Sequence, residues 1–259
     1  MFAFVFGIFS GADISVKTHM YRDSVLQWNV FVGCRFDCIY CEKSFKLQMK
    51  RQKNRCSRCY NYEPHFHQER LNRRLPRTRG DQFIWPCSSG DITFCKPEWL
   101  HKILEVIKRY PDRTFLLQTK NPIIFKQYAP FPPNVVSDVT LETNRDEGYR
   151  LISKAPRPSK RFKDYLSVSH PRKFVTIEPV LEFDMDEFVS WIRLIQPERV
   201  YLGYDSKNSY LPEPELQKVL ELERRLKAFT RVKRKLFRKA WWEQRIQMRR
   251  LSCEEESYR

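Results

Sequence analysis

The run Gly33-Cys34-Arg35-Phe36-Asp37-Cys38-Ile39-Tyr40-Cys41 sets three cysteines in a C-x3-C-x2-C spacing, with a tyrosine just before the last. It comes directly after the apolar segment Trp28-Asn29-Val30-Phe31-Val32, which predicts a strand. Three thiolates in one short loop can hold three corners of an iron–sulfur cube. Cluster ligation ordinarily uses four cysteines, so one iron would stay open to a group that is not protein. The plainer readings are a zinc knuckle, a disulfide pair or three core cysteines. A zinc knuckle prefers two-by-two spacing with a second pair elsewhere. A disulfide fits poorly in a chain with no secretory signal.

Apolar runs alternating with helical periodicity organise the chain beyond the cysteines. Residues 83–87, 114–119, 135–141, 174–177 and 199–204 read as strands. Pro97 suits a helix first turn, and Trp99, Leu100, Ile103, Leu104 and Ile107 recur at helical spacing. Asn121-Pro122 opens a short helix, and Asp184 with Glu187 predicts a capping box for a helix carrying Phe188, Trp191, Ile192 and Ile195. Strands alternating with helices mean βαβ units and a parallel sheet. With 28–32 the strands number six, short of the eight of a closed barrel.

From 214 to 250 the pattern predicts one long helical stretch, or two. Leu216, Leu220, Leu222, Leu226 and Phe229 form an apolar stripe that fades into basic residues and then Trp241-Trp242. Residues 1–9 are apolar but too short, and too poor in flanking positive charge, for a membrane span or signal peptide. They read as a strand or an N-terminal extension. No other run approaches membrane length, which predicts a cytoplasmic protein with reduced thiols and no membrane partner. The expected divisions are an N-terminal extension over 1–24, a barrel over 25–212 with a basic Cys/His insert at 42–80, and a C-terminal basic helix and tail over 213–259.

The cysteine run, with Tyr40 in the aromatic slot, resembles the hallmark of the radical S-adenosylmethionine (radical SAM) superfamily. The resemblance implies that Cys34, Cys38 and Cys41 ligate a [4Fe–4S] cluster whose open iron chelates the amino and carboxylate groups of S-adenosylmethionine. An electron from the cluster, supplied by a ferredoxin- or flavodoxin-type reductant protein, would then split the sulfonium and release a 5′-deoxyadenosyl radical. The implied fold is α/β, an open, partial six-stranded (β/α)6 TIM-like barrel with the cluster loop after its first strand. An anaerobic or protected cytosol is implied as well, since oxygen destroys an open cluster.

Strand ends are where a parallel sheet places its ligands. Ser88-Ser89-Gly90-Asp91 resembles the segment that receives the methionine amino group, although the family's usual Gly-Gly-Glu is replaced here. Thr119-Lys120 resembles the Thr-Lys of the spore photoproduct lyase-like branch, which implies that Lys120 pairs with the S-adenosylmethionine carboxylate. Glu142 ends the fourth strand, where it can accept from ribose hydroxyls or substrate, and Glu178 ends the fifth and faces the same mouth. Gly203 leaves room for adenine or for the chain itself. Each carboxylate alone reads equally well as a helix cap or a surface charge; four polar strand ends together favour a site. The order of these segments, with Cys56-x2-Cys59, Pro64-His65-Phe66-His67, Ile177-Glu178-Pro179 and Gly203-Tyr204-Asp205-Ser206, also resembles an uncharacterised phage- and archaea-associated radical SAM group over about residues 28–214.

Cys56-Ser57-Arg58-Cys59, with His65 and His67 shortly after it, is a second metal candidate, a tetrahedral S2N2 zinc site. The alternatives are a second iron–sulfur cluster completed by Cys87 and Cys95, or a simple thiol pair. The surrounding insert is basic and short of apolar material, a physical reason to expect a staple.

The net charge of +17 favours a polyanion, and nucleic acid above membrane. It concentrates from Lys43 to Arg79 and from Arg224 to Arg250, where Glu243 is the single acid. A solvated basic surface is the plain alternative. Together the features point to a radical SAM enzyme that abstracts hydrogen from a substrate in the barrel mouth, with nucleic-acid modification or repair as the leading substrate class. The competing reading is a non-catalytic, zinc-stapled nucleic-acid-binding protein. An electron carrier is disfavoured, because carriers shield every cluster corner with protein ligands.

Overall fold

A computed structural model describes residues 21–246. The expected strand or extension at 1–9 and the polar tail from Ser252 lie outside the described residues. Seven strands form one parallel sheet that curls into a half-barrel: β1 Ser24–Trp28, β4 Phe83–Pro86, β5 Phe115–Thr119, β6 Val135–Thr140, β7 Lys173–Ile177, β8 Arg199–Leu202 and β9 Arg231–Arg234, adjacent in that order. A separate antiparallel pair, β2 Phe31–Val32 with β3 His65–Phe66, ties the insert to the chain just ahead of the cysteine run.

Alternation along each strand builds two layers, because successive side chains leave a sheet on opposite faces. Phe83, Trp85, Leu116, Val136, Phe174 and Tyr201 point inward and pack with Tyr21. Their neighbours Ile84, Phe115, Leu117, Val135, Val175 and Val200 point outward into the main core. Helices Pro97–Lys108, Ile123–Gln127, Pro158–Leu166, Met185–Ile195 and Leu216–Leu226 connect consecutive strands from β4 to β9. Leu100, Ile103, Leu104 and Ile107 on the first, and Phe188, Trp191, Ile192 and Ile195 on the fourth, are buried as their spacing predicts. The helices therefore cover the outer face of the sheet, and Tyr21 packs on the inner one.

Three expectations need correction. The first sheet strand is Ser24–Trp28, not 28–32. Asn29 interrupts the run, its side-chain oxygen accepting from Ser88 Oγ and Ser89 N at 2.8 Å each. The second concerns the C-terminal segment: the helix stops at Leu226, and residues 231–234 form a seventh parallel strand against β8 rather than a basic helix. That strand lies within the 213–259 division expected to be helix and tail. The third is the Asp184/Glu187 capping box, which does not form. Asp184 caps with no side-chain bond; the Asn144 side chain instead accepts from Asp184 N at 2.9 Å and donates to Glu187 at 2.6 Å.

A candidate metal-cofactor site

The half-barrel encloses a cavity of about 1200 Å³, at the large end for a small-molecule site. Cys34, Cys38 and Cys41 line it together, and no other cysteine among the described residues does. The loop is pinned at its base by Gly33, whose N–H donates to Ser89 O at 3.0 Å and whose carbonyl accepts from Asp91 N at 3.3 Å. Polar hydrogens reach the sulfurs: Phe36 N–H donates to Cys34 Sγ at 3.4 Å, and Ser153 Oγ lies 3.1 Å from Cys38 Sγ. Cys38 is hydrogen-bonded by Cys41, which draws its pKa down to about 6 against the effect of burial. Burial pushes the Cys34 thiol well up. A group that binds here must therefore supply positive charge to hold all three sulfurs as thiolates.

Asp91 and Glu142, predicted to touch ligand, both bind neighbouring protein groups, and Asp91 lines the cavity as well. Asp91 caps the turn Ile92–Phe94, accepting from Thr93 N at 2.9 Å, and also binds Thr119 Oγ1 at 2.6 Å and Lys120 N at 2.8 Å. Glu142 has no exposed surface and does not line the cavity. Its oxygens accept from Tyr40 at 2.5 Å, Lys120 at 2.6 Å, Arg161 at 2.7 Å and Tyr149 at 3.1 Å. Burial alone would raise its pKa, but Arg161 and Lys120 outweigh that and hold it far below the usual carboxylate range. Glu142 thus aims Tyr40 and Lys120, both of which line the cavity, with the Lys120 ammonium 5.2 Å from the Tyr40 ring centroid.

Glu178 does reach the cavity, as expected, but in an ion pair with Lys235. Burial raises the Glu178 pKa and lowers that of Lys235. Gly90 lines the cavity, whereas Ser89 is buried behind it and contributes backbone to Gly33 and Asn29. Gly203 faces the chain rather than open space: a β-carbon there would lie 2.8 Å from Lys235 Cβ. No motif singles out Tyr149, Arg161, Tyr62 or Lys235. The first two act through Glu142, and the last two enter from segments read as insert and basic helix.

A second constellation forms outside the cavity. Cys56, Cys59, His65 and His67 place their donor atoms within 4.8 Å of one another. Cys59 Sγ lies 3.3 Å from His65 Nε2 and 3.2 Å from His67 Nε2, Cys56 Sγ lies 3.4 Å from His65 Nε2, and the two Nε2 atoms are 2.8 Å apart. Bonds of about 2.0–2.3 Å to one tetrahedral ion would give edges of roughly 3.3–3.8 Å, and these four separations lie close to or just below that span.

The outer nitrogens are occupied. His65 Nδ1 binds Glu63 O at 2.7 Å and His67 Nδ1 binds Glu69 Oε1 at 2.9 Å, which turns both Nε2 atoms inward, as metal-ligating histidines require. Burial lowers the pKa of both imidazoles and favours the neutral, ligating form. The group can bind a metal such as zinc. Cys87 and Cys95 take no part in it: both are buried in the main core, so the second-cluster alternative does not form. Among the described residues, no helix is long and apolar enough to cross a membrane. No protein-family model matches the chain, and a comparison with curated proteins gives no match.

Proposed function

We propose that the chain is a radical SAM enzyme. The observation that carries this reading is the convergence of Cys34, Cys38 and Cys41, without a fourth cysteine among the described residues, on one cavity at the carboxyl end of a curled parallel sheet. Three thiol donors with an open side suit a [4Fe–4S] cluster that keeps one iron for S-adenosylmethionine. Such a cluster supplies the electron for reductive cleavage of S-adenosylmethionine and hence a carbon radical that abstracts hydrogen; the redox chemistry belongs to the cofactor. The protein's own part is to bind and orient. Lys120, charged and braced by Glu142, offers a point charge to a carboxylate. Gly90 keeps the turn beside Gly33 free of side chain. The apolar inner wall of Trp85 and Tyr201 limits water.

The substrate class favoured is nucleic acid. Lys43, Lys50, Arg51, Lys207 and Arg22 line the cavity and form no ion pair among the described residues, while Phe45 and Leu47 beside them give apolar contact. Zinc suits the Cys56/Cys59/His65/His67 group, by its mixed sulfur and nitrogen donors.

Metal and sulfide analysis with EPR on anaerobically reconstituted, dithionite-reduced protein tests the reading. About four irons per chain beyond the zinc, and an EPR signal altered by S-adenosylmethionine, are expected. Stoichiometric zinc, no sulfide and no response to S-adenosylmethionine would sink it. That outcome would promote the second reading, a zinc-stapled binding protein, which the Cys2His2 group alone satisfies.

A further inference from the structure

The two cysteine-bearing sites are built on one piece of backbone. β2 ends at Val32, and Gly33 and Cys34 come directly after it; its partner strand β3 carries His65, and Val32 pairs with His65 in register. His67 N–H extends the contact by donating to Val30 O at 2.7 Å. Gly33, with φ of +102°, lies against the peptide that precedes His65: a β-carbon there would sit 2.3 Å from the carbonyl carbon and oxygen of Glu63 and 2.4 Å from Pro64 N. That same Glu63 carbonyl binds His65 Nδ1. From the metal-facing nitrogen of His65 to Cys34, the path is therefore one imidazole, one carbonyl and one glycine. Tyr62 adds a second route. It lies just past the Cys59 turn, is buried, and lines the cavity, packing with Val32, Met49 and Cys59 in a cluster that Cys34 and Cys56 also touch.

We infer that the metal held by Cys56, Cys59, His65 and His67 is the positioning element for the three-cysteine loop, so that occupancy of the first site sets the geometry of the second. The physical reason lies at the Cys34 end of the loop, where Ser89 and Asp91 hold Gly33 from the sheet and the insert must hold it from the other side. β2 and β3 are two residues each, too short to hold register by ladder bonds alone. Metal binding to a site that is not preformed in the unfolded chain is folding free energy. With His65 and His67 fixed from one side, the Glu63 carbonyl becomes a floor on which only a glycine fits, and Cys34 is delivered into the cavity. In the part that concerns cluster loading, this inference rests on the reading of Cys34, Cys38 and Cys41 given above.

The test uses full-length protein without its cluster, loaded with zinc(II), and the variants His67→Ala, His67→Cys and Gly33→Ala. Hydrogen exchange of the segment 30–41 is read by mass spectrometry against the segment 135–140 of β6. His67→Ala should lose zinc and speed exchange in 30–41 at least tenfold while 135–140 stays protected. His67→Cys, which keeps a ligand, should restore both zinc and protection. Gly33→Ala should retain zinc yet expose the loop, because it displaces the Glu63 carbonyl while all four ligand side chains stay in the chain. Iron uptake on reconstitution should track loop protection across the series, not zinc content alone.

Unchanged exchange in 30–41 after zinc loss would overturn the inference. So would loop protection in Gly33→Ala equal to that of the parent. If His67→Ala loses protection in 135–140 as well, Gly33→Ala decides, since its metal ligands are intact. Failure of the parent to take up iron would remove the radical SAM reading, and the exchange data would still decide the positioning role.

Discussion

Glu142 lies with no exposed surface between Arg161, itself fully buried, and Lys120, and both tyrosines of the neighbourhood donate to it. Removing one partner of a buried ion pair leaves the other charge unpaired and costs about 3–5 kcal/mol. Arg161 is poorly placed to absorb that loss, since its Nε and Nη2 already lack hydrogen-bond partners among the described residues. Glu142→Gln should therefore lower unfolding free energy by about that amount, read as a shift in the denaturant midpoint at pH 7; a change below about 1 kcal/mol would mean that water reaches the network.

Asp138 behaves in the opposite sense. Burial pushes its carboxyl up to about 7, in spite of hydrogen bonds from Thr176 at 2.8 Å and Tyr21 at 3.0 Å. A raised carboxyl pKa means that the folded state holds a proton the unfolded chain releases. The stability it contributes is full below the unfolded value of about 3.8 and is lost as the pH rises through about 7. Asp138→Asn should remove this dependence, so parent and variant midpoints should diverge between about pH 4 and about pH 7, with the parent falling. Parallel curves would contradict the buried, protonated assignment.

At the scale of elements, β9 is held by ion pairs as well as by its ladder to β8. Asp81, just ahead of β4, accepts from Arg199 on β8 at 2.5 Å and from Arg231 and Lys233 on β9 at 3.0 and 2.7 Å. Asp23, ahead of β1, meets the same Arg199 at 3.2 Å. Ion pairs thereby link the two ends of the strand order. Asp81→Asn should weaken this closure by about 1–2 kcal/mol, less than a buried pair because Asp81 is 34% exposed and Asp23 remains. Faster hydrogen exchange confined to 231–234 is the localised readout, and an unaffected β9 would show that the ladder suffices.

The same ion pairs explain why β9 escapes a reading by pattern. Arg231-Val232-Lys233-Arg234 offers one apolar residue, and Arg231 and Lys233 pair with Asp81, about 150 residues earlier in the chain. The five strands from β4 to β8 are legible because both faces of a parallel strand are apolar. The shift of the first strand has a different cause: the apolar run 28–32 is buried almost throughout, but Asn29 turns it from one sheet to the other. His65 and His67 are legible as residue types and less so as a pair. Only an extended β3, which sends i and i+2 to one side, makes His-x-His a matched set of ligands.

Over the whole molecule, the +17 charge divides into two populations. The C-terminal cations are largely spent internally: Arg225 on Glu221 and Asp186, Arg234 on Glu223, Lys235 on Glu178, and Arg238 on Glu213. They brace the fold, and the basic helical stretch expected over this region is replaced over 231–234 by a strand. The cations that line the cavity without a carboxylate partner among the described residues come chiefly from the segment after Cys41 and from Lys207. If five of them meet phosphates of a single strand, a salt slope of about −0.7 per contact gives roughly a hundredfold loss of affinity between 50 and 200 mM salt. Fluorescence anisotropy with a short labelled single strand measures this directly. Charge reversal at Lys50 and Arg51 should flatten the slope by about two contacts, whereas reversal at Arg234 should leave it in place. A parent protein with no salt slope would place the substrate outside the nucleic acids, because five such cations cannot bind a phosphate chain without releasing its counterions.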